Sequence, residues 1–396
     1  MKILYHHRTH ARGAEGIHIR SVITALEQLG HSVDILSVPG VDHSEHIVGA
    51  PVDKSKEVVS GLNKFWSFMS NSMPGFLFEF AEIIYNIPAY YRLNKILKNG
   101  DYDLIYERYA FFLIAGAMLA KKYKIPFVLE ANEVNGIKGR ARKQYLKSLC
   151  IFFEKRLFIL SSRIITVSSF LSELIEQRLT GCKFKGDVVI APNAIDISKI
   201  PYKYKSSDLL SKYAVTPDQQ VIGFAGWFDD WDRLDIFVRM IYALRSKGHD
   251  LVGLLVGDGV GVPEAKALAE ELGIDRQVIF TGAVTRQDIY SHLSLFDVAV
   301  FPHSNEFGSP VVMFEFMALK IPIVAPKLLP IMDVLTNKEN CLLFDVLDEV
   351  ELLDHVERFL TDKVYANKLS DNAYNLILNK HTWINNASLI VDPFNA

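Results

Sequence analysis

The chain has 396 residues, of which 49% are apolar and 22% are charged, and its formal net charge is −3. This length suffices for two domains with separate cores, and the composition is that of a soluble globular protein, neither disordered nor fibrous. The charge excludes a strongly basic nucleic-acid-binding protein, and three widely spaced cysteines suggest neither a disulfide framework nor a metal site and favour a reducing cytoplasm.

The first half alternates short apolar runs with segments of helical period. Residues 2–5 are predicted as a strand, residues 17–29 as a helix closed by Gly30, and residues 31–38 as a second strand, with a polar glycine-containing loop before the helix. This βαβ order predicts a parallel sheet whose first loop lies at the ligand-binding edge. Further strands are predicted at residues 103–106, 127–130, 163–167 and 188–191.

Two segments of this half leave alternatives open. Residues 60–97 are dense in Phe, Tyr and Trp, which fits either a helical pair on the sheet or a surface that meets lipid or a lipid-linked acceptor. Residues 138–147 carry five Lys and Arg, which fits either a solvated helix face or contact with anionic lipid or a phosphate-bearing acceptor. The start of the chain lacks a signal-peptide pattern, and the apolar run at 111–120 is too short to span a bilayer.

A Pro-, Lys- and Ser-rich stretch separates two sets of alternating strands and helices. We therefore predict a first domain at residues 1–191, a linker at 192–217, a second domain at 218–378 and a tail at 379–396 that crosses back to the first domain. Strands of the second domain are predicted at residues 221–225, 251–256, 278–280 and 296–301. Several of these strands end in glycine-containing loops, which is typical of the ligand-binding edge of an α/β sheet.

The most informative stretch is residues 301–326, FPHSNEFGSPVVMFEFMALKIPIVAP. It predicts a strand, a polar loop closing on Gly308-Ser309-Pro310, a helix with Ser309 as N-cap and Pro310 at its first position, and another strand. The free N–H groups at such a helix start can bind an anion. Glu315 lies about 7 Å further along the helix axis, a separation that suits a phosphate at the helix start and a ribose beside the carboxylate. The alternative, a solvated glutamate, is disfavoured by its apolar neighbours.

The segment GSPVVMFEFMALKIP resembles the nucleotide-binding segment of the family 4 retaining glycosyltransferases of GT-B fold, whose members often carry E-x7-E followed by A-M-A-x-G-x-P, or S-P-x-K-x-F-E-Y-M-A. The resemblance implies that Glu315 holds the ribose diol and that Glu306 contacts the donor sugar. The chain departs from the pattern because Glu306 lies nine residues before Glu315, Val312 replaces a Lys, and Lys320 replaces a Gly.

The resemblance also implies an α/β architecture of two Rossmann-like domains facing across a cleft, and it assigns residues on both. Gly13 and Ala14 would lie near the donor diphosphate, and Asn132 would contact substrate where many members have a His. The remaining acceptor-side candidates are His18, Glu107, Arg108 and Glu130. The remaining donor-side candidates are Gly226, Gly282, Gly308, Ser309, Pro310, Val311 and Arg233.

Arg233 would neutralise phosphate, unless it forms a local salt bridge with Asp229, Asp230 or Asp232. The implied reaction is retaining transfer of a sugar from a nucleotide sugar, UDP- or GDP-linked, to a hydroxyl of a glycan, lipid-linked or small-molecule acceptor. No other cofactor, no metal and no nucleic acid is implied, and the expected location is the cytoplasm or the inner face of a membrane. The alternatives are a non-catalytic nucleotide-binding partner and a nucleotide-sugar epimerase of the same fold.

Overall fold

The computed structural model describes residues 1–9, 13–37, 75–137, 144–202 and 204–395. The chain divides into two compact units. The first consists of Met1–Pro192 with Trp383–Ala396, and the second of Asn193–Thr382. Each unit contains a six-stranded sheet in which the paired strands run parallel.

The sheet of the first unit has the strand order β2-β1-β3-β4-β5-β6. Its strands are β1 (Lys2–His6), β2 (Ser32–Leu36), β3 (Leu104–Arg108), β4 (Phe127–Ala131), β5 (Arg163–Thr166) and β6 (Asp187–Ile190). Its helices are α1 (Gly13–Gln28), α2 (Gly75–Ile84), α3 (Asn86–Asn99), α4 (Ala115–Tyr123), α5 (Lys147–Leu160) and α6 (Ser169–Leu179). The strand order changes direction between β1 and β3, so the loops after these two strands flank the switch point where α/β sheets bind ligands.

The second unit repeats this plan with the strand order β12-β11-β10-β7-β8-β9. Its strands are β7 (Gln220–Trp227), β8 (Leu251–Asp258), β9 (Val278–Phe280), β10 (Val298–Val300), β11 (Ile323–Pro326) and β12 (Leu342–Phe344). Its helices are α7 (Ser207–Lys212), α8 (Leu234–Ser246), α9 (Val262–Glu271), α10 (Ile289–Leu293), α11 (Val311–Ala318), α12 (Leu329–Met332), α13 (Glu349–Thr361) and α14 (Lys363–Lys380). Here the switch point lies between β7 and β10.

The last helix, α15 (Trp383–Val391), returns to the first unit. Ile19, Val22 and Leu26 recur at helical spacing on α1 and are buried, and the buried residues Ala387 and Ile390 of α15 belong to the same core. The predicted return of the tail is therefore observed, although the chain leaves the second unit at Thr382 and not at residue 378.

The stretch 192–217, expected to be a linker, is almost entirely part of the second unit. Its apolar residues explain this, because Ile195 and Val215 are buried in that unit's core. The first helix also begins earlier than predicted, at Gly13, where Glu15 in the first turn interacts favourably with the helix dipole.

The aromatic segment 60–97 forms the helices α2 and α3 where it is described, and residues 60–74 lie outside the described residues. In the basic cluster, Lys138, Arg140, Arg142 and Lys143 also lie outside them, while Lys147 begins α5. In the described ranges, no helix combines the length and the apolar character needed to cross a membrane.

Candidate functional site

The loops after β7 and β10 meet at the carboxyl edge of the second sheet. His303 Nδ1 lies 2.9 Å from the main-chain oxygen of Trp231, and the rings of Trp231 and Phe307 lie 6.5 Å apart. These contacts join the loop at residues 226–233, GWFDDWDR, to the polar loop that precedes α11. The topology brings them together because β7 and β10 are neighbours in the sheet although distant in sequence.

Three glycines lie together at this edge of the sheet. Gly226 and Gly257 are paired across β7 and β8, and Gly257 also forms a bridge to Gly282. Gly257 has φ +141°, and a Cβ there would collide with the main-chain oxygen of Gly226, so only glycine fits. The predicted donor-side residues Gly226 and Gly282 are thus brought together through a third glycine.

The loop before α11 is held by two asparagines. Asn305 Oδ1 accepts hydrogen bonds from the main-chain N–H groups of Phe307 (3.2 Å) and Gly308 (2.5 Å). The Asn193 side chain donates to the main-chain oxygen of Ser309 (2.7 Å), and its N–H donates to Ser309 Oγ (3.1 Å). Asn193 therefore fixes this loop from within the same unit.

The predicted capping of α11 is wrong in detail. The helix begins at Val311 with Pro310 as its N-cap, and no side chain caps it. Ser309 is not the cap because its hydroxyl accepts from Asn193 instead. Pro310 has no N–H to satisfy, and its backbone is extended (φ −67°, ψ 116°), as is usual for the residue that precedes a helix. The first N–H groups of α11 thus lie next to a buried, rigidly held serine.

Glu315 lies on α11 with only 3% of its surface exposed. Arg286 Nη1 binds Glu315 Oε1, and Arg286 Nη2 donates to the Tyr290 hydroxyl at 2.9 Å. Among the described residues no donor is bonded to Glu315 Oε2. Burial raises the pKa of Glu315, and the Arg286 guanidinium opposes part of that rise. The apolar setting predicted for this carboxylate is observed, and one of its oxygens remains available to a ligand.

Glu306 lies in the exposed part of the same loop, and in the described part of the chain it forms no hydrogen bond or ion pair. Its role toward the donor sugar stays a prediction.

Arg233 forms a local ion pair, but not with the partners expected. Its guanidinium binds Asp235 at 2.8 and 2.9 Å, while Asp229 and Asp232 cap their own short helical turn. The reason is that Arg233 adopts a left-handed conformation (φ +50°) at the start of α8, so its side chain reaches the first turn of that helix. If Arg233 contacts phosphate as predicted, its guanidinium must bind the phosphate and Asp235 together.

In the first unit, the predicted acceptor-side residues converge on Glu130. Its carboxylate accepts from the hydroxyls of Tyr5 (3.0 Å) and Tyr106 (2.9 Å) and pairs with Arg108 and with His18 (3.0 Å). Burial alone would raise the pKa of Glu130, but Arg108 and His18 hold it well below its usual range. Both carboxylate oxygens of Glu130 are thus engaged by neighbouring side chains, and its expected role toward an acceptor stays a prediction.

Asn132 is the member of this group that presents an unused atom. Its Nδ2 donates to Glu130 Oε1 at 2.5 Å, and within the described ranges its buried Oδ1 has no hydrogen-bond partner. A buried unpaired acceptor is costly, so a ligand hydroxyl would satisfy it. The carboxylate of Glu107, in contrast, already has a partner inside the unit: it is buried and lies 2.5 Å from His6 Nδ1.

Gly13 and Ala14 are the first residues of α1, the helix that follows β1 in the chain.

The sequence analysis missed three residues of the site: Arg286, Asn193 and Asn305. Arg286 had a usable signal, since it is a cation in the loop after a predicted strand, and Asn305 stands three residues before a glycine, as in an Asx turn. Asn193 had none, because its partner Ser309 is 116 residues away.

No group of three or more His, Cys, Asp or Glu side chains placed to hold a metal ion occurs among the described residues. That the reaction needs no metal stays a prediction, because the diphosphate of a donor could itself supply ligands to a cation.

Comparison with known proteins places the chain in a family. Residues 16–199 match the family model described as Glycosyltransferase Family 4, and residues 219–362 match the model described as Glycosyl transferases group 1. The chain belongs to the family 4 glycosyltransferases. The resemblance predicted from residues 308–322 is thereby confirmed over both units.

Relatives of this glycosyltransferase match it over different lengths. It is 24% identical to an uncharacterized glycosyltransferase of Methanocaldococcus jannaschii, over 96% of this chain and 94% of the relative. It is 23% identical to the alpha-D-kanosaminyltransferase of Streptomyces kanamyceticus, in a match spanning 43% of each chain. The structure of Anabaena HepE in complex with UDP is 17% identical, with a TM-score of 0.68 and 99% of both chains covered.

The structural likeness confirms the GT-B fold with two parallel-sheet α/β domains. The matches also confirm that the chain is an enzyme, a glycosyltransferase of the hexosyltransferase type.

Proposed function

We propose that this glycosyltransferase moves a sugar from a UDP- or GDP-linked donor to an acceptor hydroxyl with retention of anomeric configuration. The product would be a polysaccharide, a glycolipid or another glycoconjugate. The observation that carries the proposal is Glu315, a buried carboxylate with one oxygen held by Arg286 and the other without a donor among the described residues. A carboxylate oxygen in that state is suited to accept hydrogen bonds from the hydroxyls of a ribose.

The surroundings of Glu315 support a nucleotide of this shape. The start of α11 provides N–H groups that attract phosphate, and Asn193 and Asn305 hold the preceding loop in place. The glycines at the ends of β7 and β8 let the backbone come close to a ligand. A diphosphate at the helix start would place the ribose within reach of Glu315.

The chemistry required of the protein is stabilisation of a leaving diphosphate. When the bond between sugar and phosphate breaks, negative charge grows on the phosphate, and N–H groups oriented beforehand stabilise it. In this proposal Val311 at the start of α11 and Arg233 supply that stabilisation, and Glu306 contacts the donor sugar. Asn132, through its unpaired Oδ1, accepts from a sugar or acceptor hydroxyl.

Two observations guide the choice of donor and compartment. Anabaena HepE has been solved with UDP, which makes uridine the first base to test on this chain. All three cysteines are free thiols, which supports a reducing cytoplasm as the site of the reaction.

The test is a thermal-shift panel with UDP, GDP, ADP and TDP sugars. A ligand that binds only the folded state raises the melting temperature as its concentration exceeds Kd. We expect one nucleotide family to raise it, Glu315→Gln to abolish most of the shift, and Glu264→Gln, on the exposed face of α9, to leave it unchanged. Arg286→Met should also weaken the shift, because it removes the cation that balances the buried carboxylate.

Product analysis completes the test. Proton NMR of the first product made with an acceptor should show the anomeric configuration of the donor, and Glu306→Gln should slow that turnover more than it weakens nucleotide binding. Absence of any shift across the panel would refute the nucleotide site. Conversion of the donor to an epimeric sugar product without an acceptor, and not its simple hydrolysis, would instead identify an epimerase.

A further inference from the structure

Two helices of the first unit direct apolar side chains toward solvent. On α2, Phe76, Leu77, Phe80 and Ile84 form one stripe, and between 37% and 60% of each residue is exposed. On α5, Leu149 and Phe152 are 38% and 56% exposed. We call these six side chains the apolar face.

The two helices meet at one junction. Glu79 of α2 accepts hydrogen bonds from the main-chain N–H groups of Tyr145 (2.9 Å) and Leu146 (2.6 Å), immediately before α5. Gly75, at the start of α2, lies so close to the Tyr145 ring that a Cβ there would collide with it. These contacts fix α2 beside the start of α5.

Both helices bury their acidic residues, which is the reverse of what is expected for a protein surrounded only by water. Their acidic residues, Glu79, Glu82 and Glu154, are at most 3% exposed. Two of them form ion pairs inside the unit, Glu82 with Arg8 and Glu154 with Arg178. Soluble helices normally bury apolar residues and expose charged ones. On α2 the carboxylates face inward and the stripe of apolar residues faces outward. On α5, Glu154 is buried together with Leu157 and Phe158, while Leu149 and Phe152 are exposed.

The charges that remain exposed on α5 are positive. Lys147 and Arg156 are exposed, and the Arg156 guanidinium lies 5.9 Å from the Phe152 ring centre. A surface with apolar side chains, cations beside them and no exposed carboxylate on either helix complements an anionic bilayer, where acyl chains receive the apolar groups and headgroups receive the cations. A second copy is a poorer partner, because a two-fold interface would bring these cations toward their own equivalents.

We propose that the apolar face is a peripheral docking surface for an anionic lipid bilayer. The inference concerns the first unit alone and does not depend on the identity of the donor. It selects the lipid alternative for the aromatic segment over simple packing on the sheet.

The experiment is cosedimentation of the full-length protein with lipid vesicles. We expect binding to vesicles of phosphatidylcholine with roughly one-third phosphatidylglycerol, little binding to pure phosphatidylcholine, and weaker binding at high salt. The double variant Phe76→Ser/Phe80→Ser should reduce binding at least about tenfold, because two aromatic rings no longer enter the acyl boundary. The control is Val350→Ser/Val364→Ser, two residues of the second unit that are 71% and 83% exposed.

Melting temperatures verify that each variant is folded, and the thermal shift with nucleotide should be the same in the double variant and in the original protein. Failure to bind anionic vesicles, or equal binding by the double variant, would overturn the proposal. So would a dimer in analytical ultracentrifugation that the double variant converts to monomer, because the occupant would then be a second copy. Loss of nucleotide response with vesicle binding intact would count against the proposed function alone.

Discussion

At the scale of single residues, the buried carboxylates differ in the number of donors that serve them. Glu130 is surrounded by tyrosine, histidine and arginine donors, and its pKa is held well below the usual range although burial opposes this. Among the described residues, Glu315 is paired with one cation and Asp232 accepts one main-chain N–H, from Asp229; the pKa of each is raised. All three side chains are buried, so the partners decide the direction in which each pKa moves.

The pH dependence of stability should reveal Asp232. Burial raises its pKa to about 7, so the folded state binds a proton that the unfolded chain releases near its ordinary pKa of 3.8. The contribution of Asp232 to the free energy of unfolding is fully present below about pH 4. It decreases as the pH rises through about 7, by up to about 4 kcal/mol in total. Asp232→Asn keeps an oxygen for the Asp229 N–H and carries no charge. In urea denaturation, it should match the original protein at pH 4 and exceed it in stability at pH 8.

The matched control for this prediction is Asp230→Asn, an exposed neighbour in the same loop. It should leave the pH dependence unchanged. Equal effects of the two substitutions, or no gain for Asp232→Asn at pH 8, would show that Asp232 is ionised in the folded protein without cost.

At the scale of elements, α11 departs from the family pattern at its carboxyl end, where Lys320 stands in place of a glycine. Lys320 has φ +53°, and its N–H bonds to the main-chain oxygen of Met317, as in a left-handed helix terminus. The left-handed backbone that a glycine would favour is therefore present without the glycine. The Lys320 side chain also pairs with Asp371 at 2.7 Å, in an exposed contact of small value.

Replacing Lys320 by two different residues separates these effects. Lys320→Gly and Lys320→Ala both remove the pair with Asp371, but only glycine relieves the left-handed strain. We expect the glycine variant to be roughly 0.5–1 kcal/mol more stable than the alanine variant in chemical denaturation, after allowing for the greater freedom of glycine in the unfolded chain. Equal stability of the two variants would show that the strain at this position is negligible.

At the scale of the whole molecule, the first unit is built from both ends of the chain. Arg163 of β5 donates to the main-chain oxygen of Leu389 at 2.7 Å, and the Asn386 side chain donates to that of Pro192 at 2.8 Å. Trp383 packs edge-on against His18 at a ring separation of 4.9 Å. These contacts make α15 a part of the first unit's core, so the tail is needed for the stability of a unit formed mostly by the first half of the chain.

This dependence can be tested at Ile390, which is 2% exposed. Ile390→Ala should destabilise the first unit by about 2–5 kcal/mol through lost burial and a residual cavity. Hydrogen exchange should increase in β1, β3 and α1, while the second unit keeps its protection. Leu378→Ala, on α14 at 45% exposure, should change little. Increased exchange confined to the second unit would contradict the assignment of α15.

Much of the fold was predictable because its signals are local. Apolar runs of strand length, helical periods and glycine-containing loops predicted the alternation in both units, and the positions of α11 and Glu315 followed from residues 308–322 alone. The boundaries were less accurate. Residues 192–217 look like a linker by composition, yet Ile195 and Val215 are buried in the second unit by partners distant in sequence.

The amino-acid sequence by itself determined the fold class, the family and the place of the buried carboxylate on its helix, since these depend on spacing along the chain. Only the tertiary structure decided which groups surround each charge. Arg286 reaches Glu315, Asn193 holds Ser309 and Asp235 binds Arg233. The acids of α2 and α5 turn inward while Phe76, Phe80 and Phe152 stay exposed. The physical reason is that pairing and burial depend on distances in space, and the order of strands in a parallel sheet sets those distances independently of separation along the chain.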